Sequence, residues 1–184
     1  MSSRRLPLSL TAAALLFAAL PAHAWDPRWE YAVSAGWGSG IDVNSRIDKL
    51  ELRVAATRRF APSLSAGLEL AGVRFDGTRG GVVADASGFT ALPVARWHFL
   101  RFGESSCAFE FGFGGSRFAR PFPPGGTRWN GYSAWGLGAD LDVGAGLGVT
   151  GGIRFLHHSN GRGLVTDNPA YDGLSLHLGL RYAR

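Results

Sequence analysis

Between residues 105 and 116 the chain alternates with a period of two. Cys107, Phe109, Phe111 and Phe113 share one parity, while Ala108, Glu110, Gly112 and Gly114 share the other. Successive side chains of a β-strand point to opposite faces, so this segment predicts a strand with one bulky apolar face and one small or charged face. A membrane-spanning barrel wall has that division, with lipid outside and a crowded interior. The 27 glycines among 184 residues argue against a helical alternative, since each costs about 1 kcal/mol inside a helix.

The same test predicts eight strands, near residues 30–39, 46–58, 63–75, 88–101, 105–116, 131–142, 145–159 and 172–183. In the second, Leu50, Leu52, Val54 and Ala56 alternate with Glu51, Arg53, Ala55 and Thr57. In the fourth, Phe89, Ala91, Pro93, Ala95, Trp97 and Phe99 share a face, and Pro93 marks a bulge or a bend because it cannot donate to a ladder. Connections near 59–62, 102–104 and 143–144 are short, whereas those near 40–45, 76–87, 117–130 and 160–171 are longer and rich in Gly, Pro, Asn, Asp and Arg. Outer-membrane barrels have an even strand count, short periplasmic turns and longer external loops. The expectation is therefore an all-β, eight-stranded antiparallel transmembrane outer-membrane β-barrel with both termini periplasmic and odd-numbered strands rising outward. A periplasmic sandwich or a lipocalin-like soluble barrel also uses alternating strands, but places the apolar face inward. The abundance of Trp and Phe, the glycines opposite them and the alternating loop lengths favour the membrane barrel.

Residues 1–24 have a different pattern: Arg4 and Arg5, an apolar stretch from Leu8 to Leu20, then Ala22-His23-Ala24. This predicts a cleavable secretory signal peptide, with residues 25–184 forming the barrel. After it, no run of about 18 apolar residues predicts a transmembrane helix. The formal charge of +5 falls to +3 without Arg4 and Arg5, too small an excess to suggest a nucleic-acid partner. Cys107 is the single cysteine, which excludes an intramolecular disulfide framework and a Cys-based zinc site.

Polar groups on the lipid-facing stripe are the candidates for chemistry, because such groups are costly there without a purpose or a partner. Strand seven sets Leu147, Val149, Gly151, Ile153, Phe155, His157 and Ser159 on one face, so His157 and Ser159 continue the apolar stripe. Strand eight places Asp172 at the head of Leu174, Leu176, Leu178 and Leu180. An acid, an imidazole and a hydroxyl make the composition of a Ser-His-Asp triad. Residues i and i+2 of a strand lie roughly 6.5–7 Å apart with parallel side chains, so His157 can serve Ser159 as a base. Asn160 and the main-chain N–H groups of Gly161 to Gly163 are candidate oxyanion-hole donors. His158, His177 and, beside Trp97, His98 are assigned to the interior or a girdle. Gly146 to Gly151 match G-x-G-x-x-G only by letter, because no helix follows.

Over residues 153–182 the chain resembles the lipid A 3-O-deacylase (PagL) family of outer-membrane esterases. His157-His158-Ser159-Asn160 matches the family's His-x-Ser-Asn segment, and Asn168-Pro-Ala-Tyr-Asp172 matches its Asn four residues before an acid. The resemblance implies His157 as general base, Ser159 as nucleophile and Asp172 as orienting acid, with Asn160 and Gly161 or Gly163 in the oxyanion hole. The acid is Asp where the best-known members carry Glu, and Gly161-Arg162-Gly163 is one residue longer than the usual spacing. The implied reaction is hydrolysis of the ester-linked 3-hydroxyacyl chain at position 3 of lipid A in outer-leaflet lipopolysaccharide, with no metal or organic cofactor. Arg79, Arg117, Arg120, Arg128 and Arg162 are candidates to meet lipid A phosphates. A non-enzymatic structural or adhesive barrel is the rival of a different class, and an acyltransferase or phospholipase is the enzymatic rival. The expected partners are the lipopolysaccharide substrate and outer-membrane lipid, with a homodimer as a further expectation.

Overall fold

The computed structural model describes residues 28–160 and 169–184. The candidate signal peptide at 1–24 lies outside the described residues. Eight wall strands follow one another: β1 (Arg28–Gly40), β2 (Ser45–Ala61), β3 (Leu64–Arg79), β4 (Ala86–Phe102), β5 (Ser105–Phe122), β6 (Thr127–Gly144), β7 (Leu147–Ser159) and β8 (Tyr171–Ala183). Each pairs antiparallel with its neighbours in sequence, and β1 also pairs with β8, from Glu30↔Ala183 to Gly40↔Gly173. The sheet is thereby closed and has no free edge, which lets a β structure satisfy its backbone in hydrocarbon. Among the described residues no helix is long and apolar enough to cross a membrane. The strands do the crossing.

The faces settle the choice between a soluble and a membrane barrel. Outward positions are apolar and exposed: Leu50, Leu52 and Val54 on β2, Phe109, Phe111 and Phe113 on β5, and Leu174 through Leu180 at alternate positions on β8. Inward positions are charged and buried, among them Lys49, Glu51, Arg53, Glu69, Glu110 and Arg154. Arg154 Nη1 lies 2.6 Å from Glu69 Oε2, and its Nε donates to Glu110 Oε2 at 2.7 Å. Arg96 extends the chain of pairs to Glu110 at 2.8 Å and to Asp140 at 3.0 Å. Such partners offset the desolvation that each buried charge suffers. Toward the external end, Phe75, Phe118, Phe122 and Tyr171 pack together with Ile47, and Phe75 stacks on Phe122 with centroids 4.2 Å apart. Side chains fill the lumen, as expected for a barrel of this strand number.

All eight expected strands are present, and most are longer than alternation alone indicated. The expected loops at 76–87 and 117–130 contain strand: Arg79 pairs with Ser45, Val82–Val83 pairs back onto the end of β3, and Arg117 pairs with Trp129. Three external connections are consequently short. A ladder above the membrane needs its hydrogen bonds but no apolar face, so Gly, Pro and Arg there do not end it. Pro93 also differs from expectation. Register is the same on both sides of it, Ala91↔Gly115 and Val94↔Gly112, and the irregularity of that strand pair falls at His98/Leu100 instead.

Candidate active site on the outer wall

β7 rises to the external rim and carries two polar side chains on its lipid-facing side. His157 and Ser159 continue the parity of Ile153 and Phe155, and both are half-buried. β8 descends beside β7 in a register that sets Asp172 directly opposite His157. His157 Nδ1 and Asp172 Oδ1 are 2.7 Å apart, with side chains 38% and 39% exposed. A bond between Nδ1–H and a carboxylate selects one tautomer and leaves Nε2 free to accept a proton. The structure thus brings together the expected base and acid across one hairpin.

His158 is placed apart by the same geometry. Its side chain is fully buried in the lumen, stacked on Tyr132 with centroids 4.3 Å apart, and its Nδ1 lies 3.2 Å from Ser116 Oγ. His98 and His177 are also interior, and His98 sits between Ser65 Oγ at 2.9 Å and Ser106 Oγ at 3.0 Å. Asn160 follows Ser159 and is buried. Gly161, Arg162, Gly163 and Asn168 lie outside the described residues.

Two neighbours of the site were not singled out from sequence. Gly131 on β6 pairs with Ser159, and Ser133 pairs with His157. A Cβ at Gly131 would stand 3.4 Å from the Ser159 carbonyl oxygen, so glycine keeps the wall low beside the serine. Ser133 shares its parity with Trp135 and Leu137. A hydroxyl on an apolar stripe was a legible signal of the same kind as His157. The external arginines divide. Arg79 donates to the Ala170 carbonyl and to Asp42, so it is engaged within the protein rather than free for a phosphate. Arg117, by contrast, lies over the Trp129 ring at 5.3 Å on the outer face.

A sequence profile of the lipid A 3-O-deacylase (PagL) family matches residues 22–181. The chain belongs to the lipid A 3-O-deacylase (PagL) family. It is accordingly an ester hydrolase of lipid A in the outer membrane, rather than a structural or adhesive barrel. Among solved structures, the outer membrane enzyme PagL is 20% identical with a TM-score of 0.63, covering 80% of this chain and 97% of that one. Neisserial surface protein A is 13% identical with a TM-score of 0.59, covering 85% and 96%. The outer membrane protein OprG from Pseudomonas aeruginosa is 13% identical with a TM-score of 0.55, covering 85% and 95%. These three likenesses concern the fold. No curated protein matches the chain significantly.

Proposed function

We propose that this PagL-family chain removes the 3-hydroxyacyl chain at position 3 of lipid A through a Ser159-His157-Asp172 mechanism. The observation that carries the proposal is the 2.7 Å His157–Asp172 pair on the lipid-facing wall, one side-chain repeat below Ser159. In this mechanism His157 Nε2 takes the Ser159 proton as Oγ attacks the ester carbonyl. Asp172 holds the ring and stabilises the imidazolium. The tetrahedral oxyanion is held by Asn160 with the main chain of Gly161 or Gly163, each donor contributing about 3–4 kcal/mol. The imidazolium then protonates the departing sugar oxygen at position 3. Water, deprotonated by His157, releases the 3-hydroxy fatty acid from the acyl-serine and restores the enzyme. No step calls for a metal or an organic cofactor.

Orientation supports the lipid substrate. An ester in the lumen has no route to a nucleophile on the outer wall, whereas an outer-leaflet acyl chain lies against it. Residues 1–24 act as the export signal in this proposal, and the mature chain begins at Trp25. The test is mass spectrometry of lipid A from membranes containing the protein or its Ser159→Ala variant. Loss of one 3-hydroxyacyl mass with the wild type and none with Ser159→Ala is expected. Equal deacylation by both would remove Ser159 from the mechanism.

A further inference from the structure

The small residue beside Ser159 belongs to a longer row. Gly131 pairs with Gly115, which pairs with Ala91, which pairs with Leu70. Neighbouring strands are about 4.8 Å apart, so Gly115 stands roughly 10 Å from Ser159 around the wall. From Gly115 onward the outer surface opens into an apolar groove of about 650 Å³. Gly72, Ala91 and Gly115 keep its floor low, while Leu70 and Phe89 form its sides. Trp129 closes one end with Arg117 over its ring. Arg117 has the parity of Phe111 and Phe113 and is exposed, placing a guanidinium at the external end of the lipid-facing stripe of β5.

We infer that this groove seats a second acyl chain of the same lipid A molecule whose 3-O-ester lies at Ser159, with Arg117 pairing a phosphate of that molecule. The inference rests on the proposed Ser159 site and extends it to the recognition of a multi-chain lipid. Three observations support one occupant. The groove is continuous in register with Ser159, its lining is almost wholly apolar, and its one cation sits at headgroup level. A lipid with several chains and phosphates matches all three, and a guanidinium forks well onto phosphate. Because the chain leaves hydrocarbon for the groove, the contribution is one of shape and packing rather than transfer from water. The groove thereby registers the sugar so that one particular ester meets the nucleophile.

The glycines make the test clean. A Cβ at Gly72 meets nothing within 4 Å, and one at Gly115 meets only the Asn130 carbonyl oxygen at 3.7 Å. Gly72→Leu and Gly115→Leu therefore fill the groove without displacing the barrel. The purified protein and these variants are assayed in mixed micelles on hexa-acylated lipid A and on a single-chain 3-hydroxyacyl ester. The ratio of the two kcat/KM values is expected to fall at least tenfold in the filled variants, equivalent to about 1.4 kcal/mol. Arg117→Gln is expected to reduce the preference for bisphosphorylated over dephosphorylated lipid A about fivefold. A wild-type ratio in folded Gly72→Leu and Gly115→Leu would overturn the groove while leaving the Ser159 site intact. Wild-type protein that leaves lipid A uncleaved, whatever it does to the single-chain ester, would overturn the proposed lipid A reaction and the groove with it.

Discussion

Asp172→Asn tests the chemistry of the site with the least change in shape. Asp172 Oδ1 lies 2.7 Å from His157 Nδ1, and an Asn carbonyl can accept the same hydrogen bond at the same place. What disappears is the negative charge facing the imidazolium formed as Ser159 attacks. With charge centres roughly 5 Å apart and an effective dielectric near 20, that attraction is about 3 kcal/mol. At 1.36 kcal/mol per tenfold, the variant should lose roughly 10²-fold in kcat. An Asn that presents its amide to Nδ1 instead would select the wrong tautomer, and the loss would approach about 10⁴. The barrel itself should be indifferent, because an ion pair this exposed contributes about 0–1 kcal/mol to stability. The assay follows release of 3-hydroxy fatty acid from lipid A micelles, with folding checked by the heat-dependent shift of a barrel in gel electrophoresis. Asp172→Glu serves as the control and should remain within about tenfold of wild type, since the carboxylate is kept and only its reach changes. Folded Asp172→Asn within threefold of wild type would refute the role of Asp172 as the electrostatic partner of His157.

His158→Leu should deacylate lipid A within a few-fold of wild type, because that ring lies in the lumen against Tyr132; a loss as large as that of His157→Ala, measured side by side, would contradict its placement. Arg154→Gln leaves the buried carboxylates of Glu69 and Glu110 without their shared guanidinium. Breaking a buried pair in this way costs about 3–5 kcal/mol, to be read as a lowered urea midpoint for unfolding from vesicles.

How much of this was legible in the sequence depends on the range of the interaction. Strand parity is local, since consecutive Cβ atoms diverge wherever the backbone is extended. Leu50 to Val54 outward and Lys49 to Arg53 inward, or His157 outward and His158 inward, follow from counting residues. The lipid-facing character of the apolar side required more than parity, and composition supplied it. The external hairpins were misjudged for a physical reason. Above the membrane the ladder of β5 and β6 continues through Arg117 and Trp129 on hydrogen bonds alone, without the apolar alternation that marks a strand.

Register is a different kind of information. Whether Asp172 faces His157 or a neighbour two residues away depends on how β7 and β8 pair across a connection of eleven residues, 160–170, whose chemistry does not count off the offset. A slip of one residue would have turned Asp172 inward. The row from Ser159 through Gly131 and Gly115 to Ala91 crosses three strand pairs. Only the summed registers of β4 through β7 align those small residues into a groove, and the β5–β6 register sets Arg117 over Trp129. The chain's own order of residues determined an eight-stranded wall, its two faces and the polar side chains exposed to lipid. Their alignment across strands came from the register of each strand pair, because contacts between segments several strands apart depend on summed offsets that no local pattern records.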